Sequence, residues 1–155
     1  MKKKNGGFSL IELIVVVAII VVLLGLLAPQ YIRYLEHSRI RHDDSIITNI
    51  QKAANVLVSD GEYDDYITGD IKIFINNQGV PYQLTGVGTA SSSVGTEFLD
   101  EIKASVYGNT TPSGGFTSKT YESWSGEYIE LKYDSNLLTF ITEYHNFPEK
   151  SIYYQ

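Results

Sequence analysis

Sixteen consecutive residues, Leu13 to Ala28, carry no polar side chain, and 13 of them are Leu, Ile or Val. Counted from Phe8, with Ser9 and Glu12 admitted, the apolar segment is 21 residues long. As a helix it measures about 32 Å at 1.5 Å per residue, close to the thickness of a bilayer core. Insertion is favourable, because 13 strong hydrophobes at about −0.4 kcal/mol each outweigh one carboxylate at about +3 kcal/mol. Lys2, Lys3 and Lys4 precede the segment, so the positive-inside rule places the N-terminus in the cytoplasm and everything after Pro29 outside.

A cleaved secretory signal needs small residues ahead of a cut on the far side of the apolar run. Leu26-Leu27-Ala28 puts a bulky leucine there, and Pro29 blocks the cut. A plain uncleaved anchor explains the length but not Gly6-Gly7-Phe8-Ser9-Leu10-Ile11-Glu12, which stands between the lysines and the run. Glu12 places a carboxylate inside the hydrophobic stretch, where charge is costly and usually functional. With these residues the sequence resembles the type IV pilin superfamily, over about residues 2–32. The resemblance implies that a prepilin peptidase, an intramembrane aspartic protease, cuts between Gly7 and Phe8 and methylates the new N-terminal Phe8. It makes Glu12 the family's glutamate and Pro29 its helix-kinking proline.

Charge pairing gives Glu12 a physical role. Cutting at Gly7 leaves a positive amine on Phe8, and in a staggered array Glu12 of one subunit meets the Phe8 amine of another. An unpaired ion in an apolar bundle is expensive, whereas a paired one fixes register. The competing reading is a carboxylate that snorkels to the membrane interface. Gly25 and Pro29 form a second pair: proline removes a helix hydrogen bond and glycine is a poor helix former. The resemblance implies that this stretch unwinds on assembly; a simple kink at the membrane exit is the alternative.

Residues 30–59 contain neither glycine nor proline. Ile46, Ile50, Ala53, Ala54, Leu57 and Val58 recur at helical spacing and predict one face packed on a domain. Residues 30–45 set Arg33, Arg39 and Arg41 against Glu36, Asp43 and Asp44, and read as an exposed neck that contacts other subunits. One helix of about fifty residues is expected from Phe8 to near Ser59, stopped by Asp60-Gly61. Beyond it, Ile71–Ile75 with Val80–Leu84, and Glu127–Tyr133 with Leu137–Tyr144, predict hairpins. Thr96–Ser105 predicts a short helix with Phe98, Leu99 and Ile102 inward. The expected fold is α+β, with a small antiparallel sheet laid on residues 46–58. Four segments follow: a cleaved leader at 1–7, a transmembrane and filament-core helix at 8–29, its amphipathic continuation at 30–59, and a globular part at 60–155.

Other chemistry finds little support. The chain of 155 residues fits one domain, and 12 basic against 18 acidic residues leave a net charge of −6, so no direct nucleic-acid site is expected. Without cysteine there are no disulfides, thiolate metal sites or cysteine nucleophiles. His37 and His42 are five residues apart, about 140° around a helix, and cannot clasp a metal together. His145 stands alone in sequence, and Asp60, Glu62, Asp64 and Asp65 lack calcium-loop spacing. Gly86-Val87-Gly88 lacks the third glycine of a nucleotide loop, with Ser91 in its place. Asn109-Thr110-Thr111 is formally a glycosylation sequon. Twelve tyrosines, all after residue 30, read as amphipathic strand positions or as an adhesive surface.

The expectation is therefore a non-enzymatic structural subunit without cofactor or metal: a major pilin, first a single-pass precursor in the cytoplasmic membrane, then part of an extracellular pilus. Its partners would be membrane lipid before assembly, prepilin peptidase, the assembly platform, minor pilins and copies of itself. The resemblance ties such filaments to adhesion, twitching motility and DNA uptake. A pseudopilin of a type II secretion or competence system is the first alternative. A membrane-tethered binding protein or enzyme is the second.

Overall fold

The run of helix-forming residues from Leu10 to Ser59 forms one α-helix, α1. It opens with the Leu13 N–H donating to the Ser9 carbonyl at 3.2 Å and closes with the Asp60 N–H donating to that of Val56 at 2.9 Å. Gly61 follows at φ 73°, a conformation that ends a helix without a Cβ clash. The computed structural model describes residues 7–88, 93–108, 116–118 and 128–145. The chain divides into two units, residues 1–36 and residues 37–155.

In the first unit every large apolar side chain from Leu10 to Leu27 is between 47% and 75% exposed. The helix is hydrophobic on all sides, so no single stripe directs it to a core. It is long and apolar enough to cross a membrane.

In the second unit the sequence after Asp60 builds β1 (Ile67–Ile75), β2 (Pro81–Val87), α2 (Val94–Tyr107), β3 (Tyr128–Asp134) and β4 (Thr139–His145), with a short 3₁₀ turn at Asp64–Tyr66. The sheet is antiparallel throughout, in the order β2-β1-β3-β4. Ile71, Ile73 and Ile75 of β1, Ile129 and Leu131 of β3, and Phe140 of β4 point to one face. They form one cluster with Ile47, Ile50, Ala53 and Ala54 of α1 and with Phe98, Leu99 and Ile102 of α2. Two polar side chains of α1 fix β4 to the helix. Asn55 accepts the Phe140 N–H at 3.0 Å, and Gln51 donates to the Phe140 carbonyl.

The α+β fold is the one expected, but several boundaries move. On α1 Glu36 and Ile40 are buried and Asp43 is fully buried, so the latter part of residues 30–45 is not an exposed neck. Leu137 does not open the last strand. Asp134 Oδ1 accepts the backbone N–H groups of Asn136 and Leu137 at 2.8 and 3.2 Å, making a four-residue turn with Leu138 at φ 51°. Leu137 and Leu138 are consequently exposed. Helix α2 extends past Thr96–Ser105 at both ends while burying the three residues expected.

Candidate functional site

The candidate site is the start of α1. Gly7, Phe8 and Ser9 precede the helix, and Phe8 is 87% exposed, leaving the Gly7–Phe8 bond on an accessible segment. Ser9-Leu10-Ile11-Glu12 has the S-x-x-E spacing that marks a helix N-terminus. Glu12 uses it: its Oε2 accepts the Ser9 backbone N–H at 2.8 Å. One of the donors left over at a helix start is thereby satisfied, and the carboxylate lies against the positive end of the helix dipole. This local partner is legible in the spacing but absent from a reading that considers only charge pairing between subunits.

Gly25 and Pro29 stand one turn apart, and α1 stays helical through both. The N–H that proline lacks is the one that would meet the Gly25 carbonyl four residues earlier. A Cβ at Gly25 would meet nothing within 4 Å. Residue choice thus concentrates the missing bond and the weak helix former in a single turn. The other large side chains of this stretch face outward, which suits lipid or neighbouring apolar helices rather than a small ligand.

The remaining sequence candidates resolve as follows. His42 Nδ1 lies 3.4 Å from Asp43, and His37 and His42 build no metal-ligand group among the described residues. The acidic residues from Asp60 to Asp65 build none either. Gly86 and Gly88 take φ 84° and 70° at the end of β2, so their role is in the backbone of the sheet. Residues 1–6, Ser91, and Asn109-Thr110-Thr111 lie outside the described residues. His145 is the correction: it does not stand alone. Its Nε2 lies 3.2 Å from Glu130 Oε2 and 3.7 Å from Glu143 Oε2, brought together by the β3–β4 pairing.

Sequence reasoning also missed Asp43. Its buried carboxylate accepts the backbone N–H of Thr117 at 3.0 Å, that of Ser118 at 2.8 Å and the Thr117 hydroxyl at 3.2 Å. Spacing gives no signal for this, since 74 residues separate Asp43 from Thr117.

Residues 2–28 match the prokaryotic N-terminal methylation motif. A protein of Clostridium perfringens (strain 13 / Type A) called prepilin peptidase-dependent protein A is 30% identical over 101 residues, which is 65% of this chain and 68% of that one. The chain belongs to the type IV pilin-like family. No solved structure matches it. The match to the clostridial protein covers 101 residues and so extends well past the motif, and the likeness is not confined to the leader and apolar helix. The motif and the apolar helix together suit a membrane-anchored precursor.

Proposed function

We propose that this chain is the structural subunit of a type IV pilus. It is inserted with its N-terminus in the cytoplasm, trimmed between Gly7 and Phe8 by a prepilin peptidase, methylated on Phe8, and polymerised through α1. The carrying observation is the segment Leu10–Leu27, apolar on every side and uncovered by its own chain. Such a helix is stable in lipid or among like helices and in few other settings. The dependence named for the clostridial relative supports the processing step. In the filament Glu12 and the Phe8 amine pair between subunits, and Gly25 and Pro29 mark the turn that yields on assembly. The work is mechanical and adhesive, with no reaction catalysed by this chain. Its partners are copies of itself, minor pilins and the assembly platform.

The alternative in the same family is a pseudopilin of a secretion or competence system, which shares the features of α1. Mass spectrometry of the mature protein tests the class: a chain beginning at methyl-Phe8 is expected, and an intact Met1 or a start beyond Ala28 overturns it. Shearing separates the two uses. Abundant long filaments made of this chain support the pilus, and their absence from sheared fractions of assembling cells favours the pseudopilin.

A further inference from the structure

We propose that Glu130, Glu143 and His145 form a binding site for a divalent transition-metal ion, with zinc the best-fitting occupant. The three side chains share the sheet face opposite the core, because Glu130 alternates with the buried Ile129 and Leu131, and Glu143 and His145 are two residues apart on β4. Glu130 and Glu143 are direct cross-strand partners. Two carboxylates facing each other in an antiparallel pair repel, and Glu130 is only 5% exposed, so water screens it poorly. A cation beside the pair offsets this repulsion, and Lys72 meets Glu130 from one side only, through Oε1.

His145 supplies the third donor in a fixed orientation. Its ring stacks on Tyr128, with centroids 4.5 Å apart and planes at 16°. Its Nε2 is shielded from solvent and, although 3.2 Å from Glu130, makes no aligned hydrogen bond. All three ligand atoms lie within 4.8 Å of one another. Zinc bonds of about 2.0–2.2 Å in tetrahedral geometry place neighbouring ligand atoms about 3.3 Å apart. The separations of 3.2 and 3.7 Å from Nε2 to the two carboxylates are close to that spacing. One imidazole and two carboxylates suit zinc better than magnesium, which prefers an oxygen octahedron, and a water would complete the coordination.

Lys72 is the competing cation. Its Nζ lies 2.9 Å from Glu130 Oε1, the oxygen other than the one facing His145. The ammonium therefore orients the carboxylate and leaves Oε2 for the metal, while weakening binding through repulsion.

The test is calorimetric titration of zinc chloride into the chelator-stripped full chain in detergent micelles at about pH 7.5. One equivalent should bind saturably. His145→Ala and Glu143→Gln should each weaken binding at least about tenfold, and Lys72→Met should tighten it. Magnesium chloride should give no saturable heat. Circular dichroism of the metal-free variants checks that they fold, and Glu143, half exposed at 49%, provides the mild substitution. Absence of saturable zinc binding overturns the site. So does equal affinity in the wild type and Glu143→Gln, which would place the ion elsewhere.

Discussion

The Glu12 carboxylate accepts the Ser9 backbone N–H at 2.8 Å, so a residue expected to act between subunits also closes the first turn of its own helix. The proposed cleavage between Gly7 and Phe8 would leave the Ser9 amide intact, so this bond would survive processing. The new Phe8 amine would then lie one residue from the capped N–H, near the same carboxylate. The observed cap and the proposed pairing are separable by chemistry: capping needs an acceptor oxygen, whereas pairing between subunits needs a negative charge.

Glu12→Gln keeps an acceptor and removes the charge, while Glu12→Ala removes both. Both variants should be expressed and cut at Gly7. Filament number should fall sharply in both, because an amide cannot neutralise the Phe8 amine in an apolar bundle. Counting sheared filaments beside mass spectrometry of the processed subunit makes the measurement. Normal filament numbers in Glu12→Gln would leave capping as the residue's role.

Asp43 holds residues 117 and 118 to α1 through three donors while fully buried. Asp43→Ala should lower stability by about 2–4 kcal/mol, since it strands buried backbone N–H groups. Thr117→Val removes only the hydroxyl contact and should cost about 1 kcal/mol. Denaturant unfolding of the detergent-solubilised chain checks both. A loss below that of Thr117→Val would deny Asp43 its anchoring role.

Local rules explain what could be read in advance. The apolar run, the 3.6-residue spacing of Ile50, Ala53, Ala54 and Leu57, and the alternation in Ile71–Ile75 are patterns written in adjacent residues. The Glu12 cap was equally visible in S-x-x-E. The clasp at Asp43 and the meeting of Glu130 with His145 depend on chain segments brought together by folding. In composition Asp43 looks like any charged residue of a solvated helix face. Its carboxylate is held by Thr117 and Ser118, which no local spacing connects to it.

Gly86 is a backbone requirement. It sits at φ 84°, and a Cβ there would lie 2.4 Å from the Asp70 carbonyl oxygen, where β1 and β2 slip register. The clash is with backbone, so Gly86→Ala should destabilise by about 2–4 kcal/mol. Gly69 on the same hairpin has nothing within 4 Å of a built Cβ, and Gly69→Ala should change stability by less than about 0.5 kcal/mol. Thermal melts of the two variants compare them directly; equal melting temperatures would contradict the role of Gly86.

Tyr63 and Tyr107 make the fold sensitive to alkali. Burial, aided by the Glu101 carboxylate, pushes the Tyr63 phenol from 10.0 up to about 12, and burial alone does the same for Tyr107. Each folded-state value lies above the unfolded one, so the fold retains protons that the unfolded chain releases. The resulting stability is complete below about pH 10 and is lost as pH rises through about 12. Lys72, raised by its hydrogen bond to Glu130 and then by that carboxylate's charge, acts in the same sense. Unfolding midpoints should hold steady from about pH 8 to 9.5 and drop between about pH 10 and 12. Tyr63→Phe and Tyr107→Phe should each flatten that drop, because neither variant carries the phenol proton at issue. A drop of unchanged steepness in the double variant would assign the alkaline transition to other groups.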